Sequence, residues 1–227
     1  MSGTLRAAFD RGLASIHNDL IRMGERVDQA IQGSLRSLQE RDLQLAQEMI
    51  EQDEQINLLR FKIEEGCLAL IAPQQPAATD LRSVIAVMNV VVDVERMGDH
   101  AAGIAKTVIR MGDAPLLKPL IDIPRMAELA RDMLRESLQA LMQRDADLAR
   151  NAAAKDDDMD MLYMDVFTEL VEIMSRVKDS ATRATYLLWC AHNLERIGDR
   201  ATNIAERVIF ITTGDMKELN PKSGEAH

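Results

Sequence analysis

Aromatic side chains are scarce, at 3% of 227 residues, and the apolar mass is Leu, Ile, Val, Ala and 14 methionines. Most of these are good helix formers, and long stretches lack glycine and proline, so the composition predicts an all-α chain. Cysteine is nearly absent: Cys67 and Cys190 stand far apart with no CxxC, which predicts two buried free thiols in a reducing cytoplasm rather than a disulfide framework or a thiolate metal site. Basic residues are outnumbered, with a formal net charge of −10. That balance argues against nucleic acid as a ligand, because no basic stripe is present to neutralise phosphates. It suits cations or basic protein surfaces. No run of 18 uncharged apolar residues exists, since "SVIAVMNVVV" is broken by Asp93 and Glu95, and the opening "MSGTLRAAFDRG" has no signal-peptide core. The expectation is a cytoplasmic protein, at most peripheral at the inner face of the cytoplasmic membrane.

The few prolines punctuate the chain. Pro73 and Pro76 close one helix, and Pro115, Pro119 and Pro124 cluster in "GDAPLLKPLIDIPR". Between them the apolar periodicity predicts six helices, at 5–40, 43–72, 79–112, 124–143, 146–177 and 180–213. Asp42 and Asp145, each after an arginine, are expected N-caps of the second and fifth. Residues 113–123 form a linker, Gly214 stops the last helix, and 215–227 read as a flexible tail.

The two halves repeat each other. "LQERD" (38–42) matches "LMQRD" (141–145) at an offset of 103, and "VERMGDHAAGIAKTV" (94–108) matches "LERIGDRATNIAERV" (194–208) at an offset of 100. The fold expected is therefore all-α, two tandem, pseudo-symmetric three-helix bundles with long helices: a first repeat at 1–112 and a second at 124–214. On a helical wheel of about 100° per residue, Val91, Val94, Met97, Ala101, Ile104 and Val108 make one apolar stripe. Glu95 and Asp99 stack a turn apart beside it. Glu195 and Asp199 do the same in the second half.

Like charges at i, i+4 repel by a few tenths of a kcal/mol on an open helix, so a single ExxxD says little. Its recurrence at one structural position, beside the same glycine, carries the information. The middle helix of the second half adds Asp156 and Asp160, again i, i+4, and the first half offers Asp53 with Asn57. If middle and last helices pack antiparallel, these carboxylates face one another, and hard oxygen donors in such numbers suit a divalent or trivalent metal ion. The bland alternative is a solvated acidic face, and the repeated glycine has its own, a small residue permitting close helix approach.

Here the chain resembles the PhoU family, the phosphate-regulon accessory proteins. The likeness rests on two three-helix repeats, an Asp-bearing middle helix in each, the "P-x-x-x-D-L-R"-like start at Pro76, Asp80, Leu81 and Arg82, and the duplicated "ER-x-GD". The resemblance implies metal bound on the acidic motifs, by Asp53, Glu95 and Asp99 in one site and by Asp156, Asp160, Glu195 and Asp199 in the other, with Mg, Mn, Fe or Zn as the candidate ions. It implies a regulator rather than an enzyme, and a homodimer, although no dimer seam is legible in the residues. Its implied role is to couple the phosphate ABC transporter, through its ATPase and membrane components, to the phosphate-sensing histidine kinase, holding phosphate-starvation signalling off when phosphate is plentiful. The first half departs from the pattern: Gly103 stands where the second half has Asn203, and Lys106 where it has Glu206. With Asn57, these make the first site look the weaker.

Arg96 and Arg196 fall near 200° on the wheel and are expected to face outward, pairing with nearby acids or, with Arg82, contacting an acidic partner. His192, three residues before Glu195, is a possible extra ligand, but its counterpart is Val92, which favours a structural role. His100 is expected to be solvated, and Tyr186 and Trp189 to anchor the core. Two other functions compete. A di-metal enzyme inside a helical bundle commonly uses Glu-x-x-His facing inward, which this chain lacks, and no Gly-rich phosphate loop or nucleophile elbow is present. A metal-free structural dimerising bundle is the other.

Overall fold

The structure, a computed structural model, describes residues 3–74 and 78–214. Pro76 of the signature and the 215–227 tail lie outside the described residues. Seven helices follow in order: α1 (Gly3–Glu40), α2 (Leu43–Gln74), α3 (Ala78–Met111), α4 (Asp122–Gln143), α5 (Ala146–Ala154), α6 (Asp156–Arg176) and α7 (Ala181–Thr213). No strand occurs among the described residues, and none of the helices is long and apolar enough to cross a membrane.

The repeat is visible in the helix ends. Arg41 and Arg144, at the offset of 103, both take the left-handed conformation, with φ of 59° and 53°. Asp42 accepts from Leu45 N–H, and Asp145 from the N–H groups of Asp147 and Leu148. Both expected N-caps are therefore in place, each satisfying orphan donors of a first turn.

One expected helix is two. The span 146–177 breaks at Lys155, which ends α5 and precedes α6. Asp156, Asp157 and Asp158 then occupy the first turn of α6, where carboxylates are stabilised by the helix dipole. The sequence "AAAKDDDMD" has no glycine or proline to end a helix, and the acidic run marks a new N-terminus, with Asp156 buried and Asp157 and Asp158 exposed.

α3 and α7 form the spine. They run antiparallel: Asn203 donates to Asp93 at 3.3 Å, His100 Nδ1 lies 3.0 Å from Asn193 Oδ1, and Arg110 stacks over the Trp189 ring at 5.9 Å. Position 93 meets 203 and position 193 meets the 100–103 turn, so the contact is self-complementary under the repeat, as in a two-fold interface. α1 packs on α4 across the other side, and α2 and α5–α6 flank the spine. One contiguous apolar core joins both halves, with Leu20, Met23, Met97, Met126, Met133 and Ile197 fully buried. The linker leans on that core through Leu116, Leu117 and Leu120, and Lys118 pairs with Glu169.

Gly103 is explained by this seam. A Cβ there would lie 2.9 Å from Asn193 Oδ1 and 3.3 Å from its Cγ, and Asn193 is already held by His100 and by donation to Trp189 O. Restoring the second-half pattern with Gly103→Asn is expected to destabilise by about 2 kcal/mol through overpacking. Urea unfolding should show a lower midpoint at unchanged slope, and Asn193→Ala in the same chain should recover part of the loss.

Two expectations fail here. His100 is half-buried and bonded to Asn193 rather than solvated, and burial lowers its pKa. Trp189 is 43% exposed, because its indole covers the Arg110 guanidinium at the surface instead of filling the core. Arg196 pairs with acids of its own helix, one of its two expected roles, as described below. The thiols match expectation. Both are free and buried, and burial pushes Cys67 up to about 11 and Cys190 to about 12, so neither is a nucleophile at neutral pH.

Candidate functional site

The motif glycines lie where each middle helix meets the last. A Cβ on Gly98 would stand 2.9 Å from Ile56 Cδ1 and 3.4 Å from Asp53 Oδ1; one on Gly198 would stand 3.2 Å from Met159 Cγ and 3.5 Å from Asp156 Oδ1. Asp53 and Asp156 are counterparts at the repeat offset. In both halves the missing side chain lets an aspartate of the middle helix approach the backbone of the ER-x-GD turn. The middle and last helices of each half run antiparallel, since Asp53 meets residue 98 while Arg60 meets Glu95, and Asp156 meets residue 198 while Tyr163 meets His192.

In the first half Asp53, Glu95 and Asp99 come within electrostatic reach. Burial raises the pKa of Asp53, and the charges of Asp99 and Glu95 raise it further, while Lys106 works the other way. Asp53 Oδ1 is buried and has no hydrogen-bond partner. Arg60 of α2 donates to Glu95 at 2.8 Å and to Glu64 at 3.0 Å. Asp99 is exposed, and Arg96 is exposed with no ion pair among the described residues.

In the second half Glu195 and Asp156 are buried, each 6% exposed, and Asp160 is exposed. Arg196 Nε lies 3.1 Å from Glu195 Oε2, and its Nη1 lies 2.8 Å from Asp199 Oδ2. His192 Nδ1 is 3.6 Å from the same glutamate oxygen. Tyr163 adjoins Glu195: burial, then the glutamate charge, raises its hydroxyl pKa.

The motif glutamates sit in the groove between middle and last helix, with side chains 12% and 8% exposed for Glu95 and Glu195. The wheel placed them correctly beside the apolar stripe. What it could not include is the close approach at Gly98 and Gly198, which brings the middle helix over them. Sequence reading also missed Arg60 and Tyr163. They are counterparts at the offset of 103 from Asp53 plus seven and Asp156 plus seven, two helical turns along the same face, so the antiparallel register would have located both. The repeats neutralise the same glutamate differently: the first by Arg60 from the middle helix, the second by Arg196 from its own.

Asp53, Glu95 and Asp99 are thus brought together, as are Glu195 and Asp199 through Arg196, with Asp156 at the adjoining glycine. Among the described residues no three histidine, cysteine, aspartate or glutamate side chains converge as a ready-made cage for an ion. Arg82, the remaining candidate contact, is exposed at the far end of the spine, near Gly214.

This arrangement defines a class: a duplicated three-helix protein whose acid-bearing grooves repeat about a pseudo-two-fold spine. Residues 20–108 and 123–208 match the PhoU domain family, and the chain belongs to that family. It is 36% identical over 216 residues to a phosphate-specific transport system accessory protein PhoU homolog of Clostridium acetobutylicum, covering 95% of this chain and 99% of the relative. The homolog of the same name from Pseudomonas putida is 36% identical over 94% of this chain and 84% of its own. Among solved structures, the phosphate transport system regulatory protein PhoU of Streptococcus pneumoniae superposes with a TM-score of 0.86 at 32% identity, over 92% of this chain and 99% of that one. PhoU of Pseudomonas aeruginosa gives 0.87 at 34%, over 91% and 100%.

Proposed function

We propose that the chain is a non-enzymatic negative regulator of phosphate uptake and phosphate-starvation signalling, acting in the cytoplasm at the inner face of the membrane. It couples the phosphate ABC transporter, through its ATPase and membrane components, to the phosphate-sensing histidine kinase, and it works as a homodimer. Near full-length likeness to relatives named as accessory and regulatory proteins of phosphate transport carries this reading. The working units are the repeats at 1–112 and 124–214, joined by 113–123.

The acidic grooves are the proposed metal sites. The donors fit a hard cation: Asp53 Oδ1 is buried without a hydrogen-bond partner, and its neighbours Asp99 and Glu95 raise its pKa, a repulsion that a cation relieves. Mg, Mn, Fe and Zn all accept carboxylate ligands, and a site of few carboxylates completes its coordination with water. Asp53, Glu95 and Asp99 would hold one ion; Asp156, Asp160, Glu195 and Asp199 the other. In the metal-free chain Arg60 and Arg196 supply the compensating positive charge. A bound ion would supply a fixed multivalent charge at the groove, releasing those guanidinium groups for contact with partner carboxylates, beside the already exposed Arg96 and, at the far end of the spine, Arg82.

The test is a phosphate-starvation reporter in cells lacking the protein. The reporter should be active at high phosphate, silenced by the wild-type chain, and left active by Glu195→Ala/Asp199→Ala. A reporter indifferent to loss of the protein contradicts the regulatory role. Co-purification from cytoplasmic membranes should recover the transporter ATPase and the kinase.

A further inference from the structure

The outward face of α6 carries large apolar side chains that nothing among the described residues covers: Met161 is 59% exposed, Met164 55%, Val171 43% and Phe167 38%. Met161, Met164, Thr168, Val171 and Ser175 recur at alternating spacings of three and four, the seam of a two-helix contact. They span about 20 Å of helix. Beside the seam runs a row of carboxylates, Asp158, Asp165 and Glu172, seven residues apart and all exposed. Glu172 pairs with Arg176 of its own helix at 2.5 Å, and Asp158 and Asp165 have no ion pair among the described residues. α6 carries seven acidic residues in DDDMDMLYMDVFTELVEIMSR and a single arginine at its end.

We propose that this face docks a basic amphipathic helix of a partner protein, seated with its apolar stripe on Met161, Met164 and Val171 and its lysines and arginines along the Asp158–Asp165–Glu172 row. Methionines adapt to varied apolar side chains without fixed shape, and helix-in-groove recognition uses this spacing of anchors. Charge selects the occupant. An anionic membrane surface would meet the acidic row with like charge. So would a second copy packed through this same face. The first repeat has the matching apolar positions, Leu58, Phe61 and Leu68, also exposed, but Gln55, Lys62 and Ala69 replace the acidic row. Lys62 is moreover held by Asp19 at 2.8 Å. The two repeats therefore present the same stripe with different electrostatics, and only α6 selects a basic helix. The inference rests on the accessory role only in supposing a protein partner, and it stands on the α6 surface.

The probe is a designed peptide of about 20 residues, long enough to form helix on docking, with leucine at seam positions and lysine on both flanks; its twin carries glutamate there. Fluorescence anisotropy with the full chain should show saturable binding of the lysine peptide and none of its twin. Met161→Ser/Met164→Ser/Val171→Ser and Asp158→Lys/Asp165→Lys/Glu172→Lys should each weaken binding at least about tenfold with unchanged circular dichroism and Tm. Leu58→Ser/Phe61→Ser should leave it unaltered. No saturable binding by the wild type overturns the proposal, as does equal binding by the α6 variants or by the glutamate peptide. So does sedimentation in which the α6 variants lose self-association while the peptide fails to bind, since the occupant is then a second copy. None of these results bears on the starvation reporter, so the two readings fail separately.

Discussion

Gly98→Val should lower the stability of the chain by about 3 kcal/mol, the upper range for overpacking a core, and Gly198→Val by less. At the size of this chain that is a fall in Tm of roughly 6–12 °C for the first. The difference follows from what each new side chain meets. At Gly98 the Cβ alone reaches 2.9 Å from Ile56 Cδ1 and 3.3 Å from Cγ2, and Ile56 is β-branched and 1% exposed, so it has little room to turn. At Gly198 the neighbour is Met159, at 3.2 Å, which is flexible along its length. Alanine separates the cases further. Replacing a mid-helix glycine by alanine gains about 1 kcal/mol of propensity. Gly198→Ala should therefore come out near neutral, and Gly98→Ala should still lose. Valine at Gly98 also pushes α2 off α3, moving Asp53 away from Glu95 and Asp99. Its effect on any property of the acidic groove should exceed its effect on the fold.

Arg131→Met should destabilise by about 3 kcal/mol, the cost of stripping one partner from a largely buried ion pair. Arg131 of α4 donates to Asp28 of α1 through Nε at 3.0 Å and Nη2 at 3.1 Å, with side chains 10% and 17% exposed. This fork ties the first repeat to the second on the side away from the spine. Arg135 also reaches Asp28, at 2.9 Å, which holds the loss to the low end of the range. The effect has a pH signature. Burial works to raise the pKa of Asp28, but hydrogen bonds from Arg131 and Arg135 and their charges hold it below its ordinary 3.8. A carboxylate with a lowered folded pKa stabilises the fold above its unfolded pKa, and that contribution is lost as pH falls through the folded value. The wild type should therefore lose stability between about pH 4 and more acidic conditions, and Arg131→Met should show a shallower dependence there. Urea midpoints across that range measure both.

The repeat, the helix count in the first half and the caps at Asp42 and Asp145 were legible because each is a local pattern: periodicity, a breaker, a side chain bonding to its own first turn. The break at Lys155 was not, because alanines favour helix before it, no glycine or proline interrupts the chain there, and apolar periodicity resumes after the aspartates. Only the dipole preference of three aspartates distinguishes a new N-terminus there. The acidic candidates were legible as pairs along one helix, and their partners across helices were not. Arg60 and Arg196 reach carboxylates through long flexible side chains whose direction the wheel leaves free, so the wheel alone does not choose between the acids beside Arg196 and those of a partner, and Arg196 takes Glu195 and Asp199. The exposed position of Trp189 was equally hidden, since an indole over a guanidinium at the surface and an indole in the core share the same sequence pattern.

The claim that the acidic grooves are cation sites is tested most directly by thermal unfolding of the full chain, freed of metal by chelator and then titrated separately with Mg, Mn, Fe and Zn. Alongside the wild type, Asp53→Asn/Glu195→Ala/Asp199→Ala removes the central donors. At least one ion should raise the wild-type Tm in a saturable manner, by several degrees at a hundredfold excess over its Kd, equivalent to about 2.7 kcal/mol. The variant, which loses the Arg196 pairs as well as the repulsion around Asp53, should not respond to that ion, whatever its own Tm before titration. A wild-type Tm unmoved by every ion, or a variant that responds as the wild type does, would contradict the account.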